Sequence, residues 1–416
     1  MTDTISYKNN PLAALQVPEF RSLLTGRFCF VLAFRMLGTL VGWWMYELTN
    51  APFAIGLIGL AEVIPALSLA LYAGHVIDIS EKKGLLLKGL AAYFVCSLIM
   101  LFLSTSYFGL HFGKTAVIAG IYTVIFMTGI VRSFSGPVFG AIVGQMMPKE
   151  KLQNAITWNQ GAWLSASVFG HAIAGFSIAY IHNLGTLIII TILMALSFLV
   201  LTTIKRKPAA VTTADKRTWE SVKEGLNFVF KTKEVLGALS LDLFAVLFGG
   251  AVAMVPVYAS DILKVGPIGF GWLNSAADIG SIAVVIGLAF FPLKKKQGKT
   301  LLMVVAGFGL CIIVFALSEL FWLSFAALLI SGLLDGISMV VRGTIVQLKT
   351  PDEMRGRVMS VNSMFINSSN ELGQFESGLA AKCFGVVPSV VFGGAMTLLV
   401  VIITWVKAPS LKEMEY

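Results

Sequence analysis

Ten ionisable side chains fall inside long apolar runs of this sequence: Arg35, Glu62, Arg132, His171, Asp242, Asp278, Asp335, Arg342, Glu371 and Glu376. A charge held in hydrocarbon costs ~3 kcal/mol by insertion scales, so such residues pair with one another, line a water-filled path or bind something. Arg27, Glu47 and Lys382 lie near the ends of their runs, where a side chain can snorkel to the surface. The chemistry open to this set is proton exchange, ion pairing and attraction of a charged ligand. Proton coupling needs carboxylates that bind and release a proton as their surroundings change, and Asp242, Glu371 and Glu376 are the leading candidates. The alternative for each is a permanently neutral or ion-paired structural residue.

Spacing constrains these groups further. Arg35 follows Arg21 by 14 residues, which places it about 20 Å along a helix, too deep to reach the surface easily. It should face a cavity or a carboxylate, or else join a structural ion pair. Asp335 and Arg342 share a helical face but stand about 10 Å apart, and Glu371 and Glu376 point about 140° away from each other. Each therefore needs partners on other helices. In the same segment Ser363, Asn367, Asn370, Glu371 and Gln374 share one face while Asn362, Ser369 and Glu376 share another, so one face should line a cavity and the other meet a neighbouring helix. His171 stands alone, which fits a hydrogen-bonded structural role as well as gating or proton transfer. Gly170, Gly175, Gly249, Gly250 and Gly378 read as sites of close helix packing.

Several other chemistries lack their residues. The four cysteines, Cys29, Cys96, Cys311 and Cys383, are widely spaced in apolar stretches, with no CxxC and no His at ligand spacing. They read as packing residues, not as a disulfide framework or metal site. No H-E-x-x-H, P-loop or G-x-S-x-G appears, so no metal, cofactor or enzymatic activity is expected. An integral-membrane transferase is the rival of a different class, and the His, Asp or ligand cluster it would need does not appear.

The elements that must position these charges are membrane helices. Of 416 residues, 57% are hydrophobic and 13% charged, and the mean hydropathy is +0.84, far from the balance of a water-soluble domain. Apolar runs long enough to span a bilayer are expected at 21–48, 54–77, 85–107, 115–146, 154–181, 184–204, 235–260, 267–291, 300–319, 321–347, 357–384 and 387–407. The N-terminus, MTDTISYKNN, is polar and does not read as a cleaved signal. Residues 205–234 form the long polar interruption between 1–204 and 235–416, six runs on each side. Within it TWESVKEGLNFVF places Trp219, Val222, Leu226 and Val229 at helical spacing, which predicts a short amphipathic helix on the membrane surface. The net charge of +9 resides in loops with EKKG, PKEK, KRK, KKKQGK and DEMRGR. It reads as a topology signal, not a nucleic-acid patch. Lys and Arg crowd alternate loops, which predicts cytoplasmic termini and a cytoplasmic linker.

The order of motifs resembles the major facilitator superfamily, and within it the bacterial drug:proton antiporter group that includes the enterobactin exporter. The resemblance runs from FRSLLTGRF (Phe20 to Phe28) and TNAPFAIGLIGLAEVIP (Thr49 to Pro65) to GHVIDISEKKG, SLDLFAVLFGG, TPDEMRGRV and SSNELGQFESG. It implies an all-α membrane protein of twelve helices in two pseudo-twofold related six-helix bundles, working by alternating access. It also implies a conformational latch of Gly74, Asp78, Lys82 and Lys83 against the region of Arg355 and Arg357, with the Asp78 carboxylate at a helix N-terminus. Arg132 and Gly136 resemble the R-x-x-x-G motif linked to proton coupling. Two places depart from the pattern: PLKKKQGK has no acidic residue matching Asp78, and His171 follows Gly170 where antiporters carry proline.

What the resemblance implies is a secondary transporter of the bacterial inner membrane. It would be a proton-coupled exporter of a small amphipathic drug or siderophore, surrounded by membrane lipids and monomeric by family habit. A lysophospholipid or other lipid-like cargo, and uptake of a metabolite, are the alternatives. Pathway candidates are Arg35, Glu62, Arg132, His171, Asp242, Asp335, Glu371, Gln374 and Glu376.

Overall fold

The computed structural model describes residues 12–136, 138–206, 218–290, 296–351 and 354–415, and every regular element among them is helical. In chain order the main helices are α1 (Pro18–Thr49), α2 (Pro52–Ile79), α3 (Lys82–Leu103), α4 (Ser106–Ser135), α5 (Val138–Met146), α6 (Lys149–Thr202) and α7 (Thr218–Lys231). They continue as α8 (Lys233–Phe248), α9 (Val255–Val257), α10 (Gly266–Phe290), α11 (Gln297–Leu317), α12 (Phe321–Lys349), α13 (Arg355–Phe384), α14 (Val386–Lys407) and α15 (Pro409–Lys412). A membrane leaves the backbone no other partner than itself, which is why apolar runs of this length fold as helices.

Nine helical segments among the described residues are long and apolar enough to cross a membrane. One of them, within α6, holds two expected spans, separated where His182 adopts φ 56°. Gly113, with φ 76°, likewise divides the start of α4 from its long apolar part. The runs expected at 235–260 and 357–384 are not among the nine. The first is broken after α8 at Gly249 and continues as a 3₁₀ turn (Ala251–Met254), α9 and a π turn (Tyr258–Ile262). The second is α13, continuous for 30 residues but rich in Asn, Ser and Glu. The run expected at 115–146 falls within one of the nine segments, Ser106–Met146, which includes both α4 and α5.

The chain divides into two compact units. The first is residues 1–41 with 68–213, and the second is 42–67 with 214–416. The first unit is cored by Phe20, Leu23, Leu86, Leu90, Val138 and Ile142, all nearly inaccessible to solvent. The second has one cluster around Leu241, Leu301, Leu302, Val341 and Ile345 and another around Val229, Val235, Leu239 and Val358. The second cluster corrects one sequence expectation. Val229 of the amphipathic helix α7 is fully buried and Leu226 packs beside it, so that face meets protein rather than lipid. The Arg357–Glu224 ion pair fastens the same helix to the start of α13. Trp219 and Val222, the other two members of that face, have side chains outside the described residues.

Candidate functional site

Residues 42–67 form a hairpin of the second unit, turned at Asn50 (φ 47°), a residue type that tolerates the left-handed region. Its contact with α13 depends on two glycines. A Cβ on Gly378 would lie 2.6 Å from the Gly56 Cα, closer than any side chain permits, so the two backbones touch. Gly59 likewise lies against the Glu371 carbonyl and Gln374. Phe53 stacks near Phe375 at 6.3 Å and carries the Lys382 ammonium 4.6 Å over its ring. At the end of α1 the Tyr46 hydroxyl donates to the Asp261 carboxylate. Sequence reading missed Tyr46 and Asp261, although an acidic residue beside a loop otherwise marked only by Lys264 was a usable signal. Glu62 belongs to this hairpin and is half-buried.

A second group lies in α8, α11 and α12 of the same unit. Arg342 forms an ion pair with Asp242, and the two are 4% and 7% exposed. Asp242, Asp335 and Ser338 line one cavity, whose other walls include Val304, Phe308 and Leu334. It leaves about 10 Å³ for the centre of a water molecule, room for about one water. Asp335 and Arg342 were expected to need partners on other helices, and for Arg342 that partner is Asp242. α8 runs hard against α13: a Cβ on Gly373 would lie 2.9 Å from the Val246 carbonyl oxygen, and just after α8 a Cβ on Gly250 would lie 2.7 Å from the Gly373 carbonyl oxygen. Glu371 is buried on α13 and Glu376 half-buried.

The first unit holds the other arginine. Arg35 lies with its guanidinium 5.0 Å over the Trp163 ring of α6, a cation held by an aromatic face instead of a carboxylate. One turn along α1, the Thr39 hydroxyl lies 2.6 Å from His171 Nδ1, and it also reaches the Arg35 carbonyl at 3.1 Å. Gly170 permits this crossing, since a Cβ there would sit 2.7 Å from that of Arg35. Trp163 and Thr39 were not singled out from sequence. Phe30, Phe34 and Tyr93 extend the aromatic wall, and Arg27 lies 5.3 Å over Phe139. Arg132 is in the last turn of α4, its carbonyl used by the Gly136 cap.

The latch residues divide between described and undescribed ones. The surroundings of Gly74 and the side chains of Asp78 and Arg355 lie outside what the structure describes. Lys82 is buried and donates to the Ile77 carbonyl at the end of α2, while Lys83 donates to the Thr202 carbonyl at 2.7 Å. Both ammonium groups thus sit on carbonyls of helix C-termini, where the backbone lacks its own donors. Arg357 is occupied by Glu224.

With this geometry in hand, comparison with known proteins settles the family. The profile of the Major Facilitator Superfamily matches residues 23–374. The chain belongs to that superfamily. This facilitator is 22% identical over 255 residues to the multidrug efflux pump Tap of Mycobacterium tuberculosis, an alignment covering 60% of each chain. It thus spans about 60% of the length of that relative and of the others first matched. With the Tap protein of Mycolicibacterium fortuitum the identity is 21% over 386 residues, covering 90% of this chain and 91% of that one. Among solved structures, a POT family transporter in complex with 5-aminolevulinic acid superposes with a TM-score of 0.74 at 12% identity, over 94% of this chain and 96% of that one. The facilitator is therefore a multi-pass membrane protein of that superfamily, all-α among its described residues.

Proposed function

We propose that this facilitator exports a small amphipathic molecule of the drug or siderophore class in exchange for protons, by alternating access. The observation that carries this reading is the charge set inside its membrane helices: an arginine on an aromatic face in the first unit, and carboxylates with an arginine in the second. The first arrangement suits an amphipathic cargo, because a guanidinium on an indole offers apolar and polar contact together. The second suits proton exchange, because carboxylates held away from water respond strongly to their surroundings. The relatives named multidrug efflux pumps support the outward direction. The Lys and Arg bias of alternate loops supports an inner-membrane protein with cytoplasmic termini, and family habit supports a monomer.

Two measurements test the reading. A thermal-shift screen in detergent against drugs, siderophores and lysolipids should show stabilisation by members of the first two groups; stabilisation by lysolipids only would move the cargo to the lipid-like class. Purified protein in liposomes should then transport the stabilising compound at a rate set by an imposed pH gradient. Transport indifferent to that gradient would defeat proton coupling.

A further inference from the structure

We propose that the cavity between α8, α11 and α12 is a coupling-proton site that holds one proton on Asp335 while Arg342 is paired with Asp242, and that it is too small to bind cargo. The inference rests on the proton-coupled reading above and adds to it the site, the proton count and its separation from the transported molecule.

Charge counting gives the first step. The cavity wall contains two carboxylates, Asp242 and Asp335, and Arg342 is committed to Asp242. Among the described residues no basic side chain is recorded against Asp335. With all three ionised the cluster carries one net negative charge in a place that water barely enters, and an uncompensated charge there costs several kcal/mol. The site therefore requires one positive equivalent.

The size and chemistry of the cavity identify that equivalent. Space for about one water excludes an organic cation. A desolvated metal ion needs about six oxygen ligands, whereas the side chains here carry five at most, on Asp242, Asp335 and Ser338, with the Asp242 carboxylate already paired to Arg342, against a wall of Val304, Phe308 and Leu334. A proton needs one oxygen. Further ionisable groups stand on the packed helices, among them Lys299 of α11, Lys233 of α8 and Arg357 and Lys382 of α13. The lining residues of α11 carry none. α8 adds Glu234, which is 3.9 Å from Lys349 of α12. α10 carries Asp278 and packs on α12 through Gly280 and Ser281. α13, packed on α8, carries Glu371 and Glu376. The exchange step follows: when Asp335 gives up its proton, two carboxylates compete for one guanidinium. Arg342 is drawn from its single pairing toward a shared one, and α8 and α12 shift with it.

The test is a proton count that needs no cargo. The carbonyl stretch of protonated carboxylic acid, followed by infrared titration of the full-length protein in lipid, should lose one group's amplitude in Asp335→Asn. It should lose the same in Asp242→Asn, where Arg342 is released to neutralise Asp335, and gain one group in Arg342→Gln, where two carboxylates face each other. Asp335→Glu should restore the signal and shows that loss in Asp335→Asn is not misfolding. An unchanged amplitude in Asp335→Asn, or a signal abolished by sodium but not by choline, would overturn the assignment. Cargo transport insensitive to a pH gradient in the wild type, alongside the expected infrared pattern, would defeat the export reading and leave the protonation site standing.

Discussion

The two units solve the same problem differently. Each places an arginine deep in a membrane helix, but the first lays Arg35 on the Trp163 ring, whereas the second pairs Arg342 with Asp242 and sets Asp335 on the same cavity. An aromatic face attracts a cation without neutralising it. A carboxylate neutralises it, so in the second cluster the Arg342–Asp242 pair is balanced and the added carboxylate of Asp335 makes the site sensitive to one added or removed proton. Under the proposed function, cargo contact belongs to the first unit and proton handling to the second.

If that contrast holds, perturbing the carboxylate cluster should cost more than perturbing the aromatic one. The largest effect is expected from Asp242→Asn combined with Asp335→Asn, which leaves Arg342 buried without a carboxylate in its cavity. Thermal unfolding in detergent should reveal a loss of ~3–5 kcal/mol, with each single change costing clearly less because Arg342 retains one partner. A double variant no worse than either single one would break the comparison. Next in size is Tyr46→Phe, which removes a donor from the Asp261 carboxylate and should cost ~1.5–3 kcal/mol in the same measurement.

Smaller losses are expected in the first unit. Trp163→Leu should cost ~0.5–2 kcal/mol by removing the ring beneath Arg35, and Trp163→Phe should recover part of that loss. A Trp163→Phe protein as unstable as Trp163→Leu would show that packing, not the cation, explains the contact. Thr39→Val should cost ~0.5–1.5 kcal/mol by releasing His171, and because no charge is exposed its unfolding shift should be the smallest of the four.

Much of this was legible in the sequence, and the gaps have physical reasons. Most helix positions could be read because apolar length dictates them, down to the turn at His182. The break after α8 could not, since Gly249 and Gly250 permit a break without requiring one, and the close approach of Gly250 to Gly373 appears only in the tertiary structure. The amphipathic pattern of α7 was correctly seen, but periodicity does not distinguish a protein surface from a lipid one. Among the candidate residues, buried charges announced themselves by type. Their partners did not: Trp163 is one aromatic among many, and the Asp242–Arg342 pairing joins residues 100 positions apart. The meeting of the Gly56 and Gly378 backbones likewise reflects a tertiary crossing that neither local segment encodes by itself.

The central claim, that proton movement is tied to cargo movement, is tested most directly by recording both in one vesicle. A pH-sensitive dye trapped inside liposomes carrying the purified protein should report protons moving opposite to a cargo chosen by the thermal-shift screen. Asp335→Asn should abolish the proton signal. Cargo flux in the wild type with no accompanying change in dye signal would contradict the account.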